Sequence, residues 1–173
     1  EDFDQSPVTA IGEEQFTKVF NAIMKLPENF KVLRKVEKII QDKIKLYETE
    51  QKLDWATGEL MAYGSILADG KDVRMSGQDV CRGTFSHRHA ILTDENTDEE
   101  YNRLNQVPDT ASKFRIFNSF LSEYAVLGFE YGFALANPNA LVLWEAQFGD
   151  FANGAQIITD QFIAAGEQKW QRM

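Results

Sequence analysis

Three short strings hold the residue types in this chain that can do chemistry. SGQDVCRGTFSHRHA, from Ser76 to Ala90, contains both histidines of the sequence, His87 and His89, beside Arg82 and Arg88. FNSFLSEYAVLGFEYGF sets one carboxylate, Glu123, at a helix start among Phe120, Leu121, Tyr124, Ala125, Val126 and Leu127. WEAQFGDFANGAQ follows an apolar run and carries Gln147, Phe148 and Phe151, with Gly149 and Gly154 close by.

Each string has two readings. A carboxyl among apolar side chains is poorly hydrated when ionised, so it holds its proton more tightly and can donate it near neutral pH. A Glu in a first helical turn is also favoured by the helix dipole without any function, and spacing alone leaves both open. His-x-His needs a third ligand to hold a metal, and no other Cys or His completes a set, so no metal is expected. His87, His89, Arg82 and Arg88 suit a substrate carboxylate, to which all can donate hydrogen bonds. The alternative is a solvated basic patch. Phe148 and Phe151 on a Gly-rich strand-to-helix turn can stack on a planar heteroaromatic ligand or cap a core. Cys81, the single cysteine, lacks a thiolate-stabilising motif and reads as a packed small residue.

The bulk numbers narrow the classes. A chain of 173 residues with 43% hydrophobic and 26% charged residues is an ordinary globular composition. A net charge of −9 argues against non-specific binding to nucleic acid or to an anionic membrane. One cysteine allows no internal disulfide framework and favours a reducing compartment. No apolar run reaches the ~18 residues of a membrane helix. EDFDQSPVTA is neither a signal nor a transit peptide, and both ends read as cuts in a longer protein.

The elements that must position the three strings follow from periodicity. Phe16, Val19, Phe20, Ile23 and Met24 mark a helix that Pro27 ends, and Val32 to Leu46 recur helically within about 29–52. Leu53 to Ala68 is a third helix with Asp54 as N-cap and Gly58 as a weak spot. Val73 to Ser76 and Phe114 to Phe117 read as short strands, and Gly77 permits a turn. Thr93 to Ser112 is polar and reads as a long surface loop. Ser122 to Ala136 is a helix closed by Asn137-Pro138, with Gly128, Gly132 and Ala136 forming a small-residue stripe that Glu130 keeps out of a membrane. Ala140 to Glu145 reads as a strand buried on both faces, and Ala155 to Gln168 as one amphipathic helix. Strands alternating with helices predict an α/β fold with a parallel sheet.

Taken together, SGQDVCRGTFSHRHA, LSEYAVLGFEYGF and LVLWEAQFGDFANGAQIITDQFI resemble the pyrimidine-binding domain of thiamine diphosphate-dependent 2-oxoglutarate dehydrogenases over about Trp55 to Trp170. The resemblance implies a three-layer, parallel-sheet pyrimidine-type domain over 53–173, truncated, preceded by a helical extension over 1–52. It implies that Glu123 hydrogen-bonds the N1′ atom of the cofactor's aminopyrimidine and so promotes the imino form that takes the thiazolium proton. By the same resemblance Phe151, with Phe148 and Gln147, lines the pyrimidine ring. His89 handles the substrate or the species formed after decarboxylation, joined by His87 and Arg82. The implied substrate is 2-oxoglutarate, the implied partner a lipoyl-bearing succinyltransferase, and the implied assembly a homodimer with its site between subunits. Mg²⁺ and the diphosphate belong to a separate domain, whose Gly-Asp-Gly…Asn motif is not in this sequence. A further strand and histidine-bearing segment are implied beyond Trp170. The implied location is the bacterial cytoplasm, or else the mitochondrial matrix. A 2-oxoadipate dehydrogenase, a carboligase or a non-catalytic module of the same fold are the alternatives.

Overall fold

The computed structural model describes residues 5–150 and 153–171. Three helices come first: α1 (Glu13–Met24), α2 (Arg34–Glu50) and α3 (Trp55–Ala68). Asp54 caps α3 as predicted, its Oδ1 accepting the Thr57 amide at 2.8 Å and satisfying one of the donors a helix start leaves open. The chain then enters β1 (Val73–Gly77), a short antiparallel hairpin of β2 (Ile91–Thr93) and β3 (Glu100–Asn102), and β4 (Phe114–Asn118). Helix α4 (Glu123–Ala136) and strand β5 (Leu141–Glu145) follow.

The main sheet is parallel with strand order β4-β1-β5, so α4 carries the chain across β1 from one edge to the other. Register stacks like positions in rows. Val73 lies opposite Phe114 and Leu141, and Met75 opposite Ile116 and Leu143. Because side chains alternate along a strand, these two rows share one face. All six pack into the core that α1 and α3 cover, with Val19, Phe20, Ile23, Leu60 and Leu67. Arg74, on the opposite face, reaches α4. The sheet is thus covered on both sides, the three-layer α/β arrangement that the resemblance implies.

On the α4 side a charge takes the place of a hydrophobic row. Arg74 donates from Nε to Glu130 Oε2 at 2.7 Å and from Nη2 to Oε1 at 3.0 Å, while Phe117, Phe129 and Phe133 surround its guanidinium. Glu130 is only 3% exposed, and a carboxylate at such depth is tolerable because the two-pronged pair replaces its hydration.

Four expectations need correction. The predicted surface loop Thr93–Ser112 contains β3 and a 3₁₀ turn, and it buries Asp94, Arg103, Leu104 and Val107. Asp94 earns its place by accepting three backbone amides, from Lys31, Asn96 and Thr97, while Arg103 donates to the Ile23 and His89 carbonyls. Strand β5 is half-buried along its length because it is an edge strand. The second helix begins at Arg34, after the reverse turn that follows Pro27. The last helix is three pieces: α5 (Gln156–Ile158), a π-helical turn (Thr159–Ile163) and α6 (Gly166–Trp170). There Thr159 Oγ1 turns back to the Ala155 carbonyl at 3.2 Å, and the Ala164 amide reaches the Thr159 carbonyl at 2.8 Å, a local bonding pattern that competes with regular α-helix.

Candidate functional site

Open parallel sheets place their ligand crevice beyond the carboxyl ends of the strands, where successive connections diverge. Here β1 connects to β4 on one side and β4 returns across it to β5, and the crevice lies at those ends. A cleft of about 300 Å³ is lined by Gly77 at the end of β1 with Gln78 and Asp79 after it, Ser119, Phe120 and Leu121 after β4, and Trp144 and Glu145 at the end of β5. Glu123, Val126 and Asp150 complete it.

Gly77 makes the crevice possible. A Cβ there would lie 2.4 Å from the Glu145 carbonyl oxygen, and its φ of 151° lies where side chains are disfavoured. Past it the backbone stays contorted, with positive φ at Asp79, Gly83, Ser86 and His89 as well. Clusters of such conformations are characteristic of functional loops.

Glu123 opens α4 and is half-buried in the cleft wall. The expected apolar envelope is not there, because Phe120 is 99% exposed and Leu121 and Tyr124 also face outward. The carboxylate instead lies beneath the Gly154 backbone, where an added Cβ would stand 2.8 Å from Oε2. Among the described residues Glu123 has no hydrogen bond or ion pair, so it faces the cleft with its acceptors unused.

The two histidines part company. His87 lines a second, neighbouring recess with Thr84, Phe85, Glu145, Ala146, Gln147 and Phe148. Its Nε2 stands 3.5 Å from Glu59 Oε2, and its Nδ1 is buried without a partner among the described residues. His89 lines neither recess. Burial first, then the charges of Arg103 and Lys43, hold its imidazole below the ordinary value of 6.5. The sequence reading ranks His89 above His87, and of the two it is His87 that lines a recess.

Arg88 is not available to a substrate. It is 2% exposed and sandwiched between two carboxylates, donating to Glu59 and Glu145 and, at 2.8 Å, to the Val80 carbonyl. Burial alone would lower its pKa, but those carboxylates keep the guanidinium above its usual range. Arg82 is exposed and engaged with Asp79 Oδ2 and Ser86 Oγ, each at 3.3 Å. Gln147, expected to line a ligand ring, spends its amide on Thr84 Oγ1 at 2.8 Å and the Gln78 carbonyl at 3.3 Å, tying the two loops together. Phe148 is exposed at the second recess. Phe151 lies outside the described residues. Cys81 is packed as expected, and burial pushes its thiol up.

Sequence reasoning missed Glu145 and Glu59. A signal existed for Glu145, which ends the apolar run LVLWE at the position where a parallel strand delivers residues to its crevice. None existed for Glu59, one acid on an otherwise ordinary helix.

Comparison with known proteins identifies the family. Residues 51–173 match the family described as transketolase, pyrimidine binding domain. The 2-oxoglutarate dehydrogenase E1 component of Brucella anthropi is 48% identical over 165 residues, covering 95% of this chain and 16% of that protein. Its namesake in Rickettsia felis is 48% identical over 169 residues, covering 98% and 17%. That of Brucella ovis is 47% identical over 165 residues, covering 95% and 16%. The chain therefore spans about one sixth of the length of these curated relatives.

Proposed function

The chain belongs to the transketolase pyrimidine-binding domain family, and on that premise we propose that it forms the pyrimidine wall of a thiamine diphosphate-dependent 2-oxoglutarate dehydrogenase. The similarity to 2-oxoglutarate dehydrogenase E1 components supports the substrate class. The cleft suits an aminopyrimidine: it has a volume of about 300 Å³, is walled partly by Phe120, Leu121 and Trp144, and includes a carboxylate, Glu123, that is unengaged among the described residues. The observation that carries the reading is Glu123 held under Gly154, where any side chain would displace it.

The bound cofactor supplies an electron sink for decarboxylation of a 2-oxo acid. The residues of this chain orient it and manage a proton. Glu123 would hold the aminopyrimidine ring through a proton shared with its N1′ atom. Gln147 keeps the two cleft loops in register, and Phe148 and Phe151 border the ring. His87, beside Gln147 and Phe148, replaces His89 as the imidazole directed toward substrate. His89 and Arg82 act at longer range.

The pyrimidine domain covers 53–173, and helices α1 and α2 of the segment 1–52 pack on it. Other parts of the full-length protein hold Mg²⁺ and the diphosphate, complete the site in a homodimer, and deliver a succinyl group to a lipoyl-bearing succinyltransferase. The bacterial relatives favour a cytoplasmic setting.

Glu123→Gln in the full-length enzyme tests the assignment. Turnover of 2-oxoglutarate is expected to fall by roughly 10²-fold or more, the scale of a lost proton-transfer group. Turnover equal to that of the unaltered enzyme refutes it.

A further inference from the structure

Arg88 meets two carboxylates where one would neutralise it. Glu145 alone answers the guanidinium twice, through Oε1 at 3.1 Å and through Oε2. Glu59, brought from α3, adds a second negative charge that is partly buried and therefore costly to dehydrate. Its two oxygens divide their contacts: Oε1 accepts from Arg88 Nε, and Oε2 stands 3.5 Å from His87 Nε2. Tyr63, one turn further along α3, adds no charge, because burial and then Glu59 push its hydroxyl far above its usual range.

The other ring nitrogen of His87 is held by backbone. A Cβ at Gly83 would lie 2.5 Å from His87 Cε1 and 2.6 Å from Nδ1, and the φ of 85° there also favours glycine. Nδ1 is buried with no partner among the described residues, so Nε2 is the ring nitrogen that a ligand in the recess can meet. That recess, walled by Thr84, Phe85, Gln147 and Phe148, shares Glu145 with the main cleft. A ring free to turn about its side-chain bonds would present Nε2 there only part of the time, and fixing it beforehand removes that entropy from binding.

We infer that Glu59 is a positioning residue for His87: Arg88 anchors one of its oxygens, the other steadies the imidazole at Nε2, and Gly83 leaves the room in which the ring lies. The inference rests on the role proposed for His87. Glu59 itself lines neither the cleft nor the recess, so its effect reaches the 2-oxo acid through the imidazole and leaves the cofactor ring alone.

The test is a double-mutant cycle in the full-length enzyme, read as KM and kcat for 2-oxoglutarate and, separately, as thiamine diphosphate affinity. Glu59→Gln keeps an oxygen for Arg88 and removes the charge beside His87. It is expected to raise KM about five- to tenfold, the scale of one weakened hydrogen bond to a charged ligand, with cofactor affinity unchanged. His87→Asn is expected to lose at least as much, and Glu59→Gln to cost nothing further in that background. A merely structural loss would persist there and would weaken cofactor binding too. If Glu59→Gln does not fold, Glu59→Asp, which keeps a charge for Arg88 but draws back from His87, decides through the same cycle. Additive losses, or no loss in Glu59→Gln, overturn the inference while leaving His87 its role. An unchanged KM in His87→Asn sinks the role of His87, and the inference with it.

Discussion

Replacing Gly154 by Ala separates the placement of Glu123 from the stability of the fold. The new methyl carbon would stand 2.8 Å from Glu123 Oε2, 3.4 Å from its Cβ and 3.5 Å from its Cδ. Only the carboxylate oxygen is too close, and it is the free end of a flexible side chain. Restoring ordinary van der Waals contact moves it by about half an ångström, the tolerance within which a reacting group must be held. Misplacements of about 1 Å cost on the order of 10²-fold in rate, so turnover of the full-length enzyme should fall about 10- to 100-fold. Stability should hold or rise slightly, since an alanine lowers the entropy of the unfolded chain by about 0.4–1 kcal/mol equivalent. Steady-state turnover of 2-oxoglutarate, read beside a thermal melt, supplies both numbers. Turnover within about twofold of the unaltered enzyme, with an unchanged melt, would refute the argument that Glu123 works from beneath Gly154.

Two further outcomes follow from buried charge. Arg74→Met leaves Glu130 without a partner at 3% exposure and should cost about 3–5 kcal/mol in denaturant unfolding, whereas Arg74→Met with Glu130→Met should recover most of it; a neutral single variant contradicts this. His89 has a folded-state pKa depressed below 6.5 by burial and by Arg103 and Lys43, so the folded protein binds fewer protons than the unfolded chain just below that pH. The stability tied to neutral His89 is complete above 6.5 and is lost as pH falls toward the depressed value. Melting temperatures from about pH 7.5 to about pH 5 should therefore fall less for His89→Asn than for the unaltered protein, and equal slopes would count against it.

Hydrophobic periodicity carried the sequence reading wherever apolar residues do the packing. The run Phe16–Met24 and the rows Val73/Met75 and Phe114/Ile116 declare their elements through side chains that must leave water, and the Asp54 cap is legible because its local hydrogen bond needs only a short polar side chain just before a helix. The failures fall where polar groups do the work. Asp94 and Arg103 are buried by means of hydrogen bonds to backbone amides and carbonyls, which hydropathy reads as a solvated loop. Strands β2 and β3 are three residues each, too short for alternation to show. The final helix fails for a related reason: the Thr159 hydroxyl and a single wide turn are local choices that an amphipathic pattern averages away.

The site poses a sharper problem, visible in three consecutive residues. His87 and His89 are two apart, so a strand would put them on one face with Arg88 on the other. Such a strand would justify treating the histidines as a pair. The structure bends the backbone instead, with φ of 53° at Ser86 and 44° at His89. His87 turns to the recess beside Gln147, Arg88 dives between Glu59 and Glu145, and His89 faces Arg103 and Lys43. What fixes this divergence is the pair of acids waiting for Arg88, one on α3 and one on β5. A guanidinium that must be buried takes a place where two carboxylates meet it, and its neighbours on either side are thrown in opposite directions. Glu59 and Glu145 are 29 and 57 residues from Arg88, so the constraint that aims the histidines is a tertiary one. Local sequence could supply the histidines, the glycines and the acid of α4, but which imidazole faces the recess is decided by charges elsewhere in the fold.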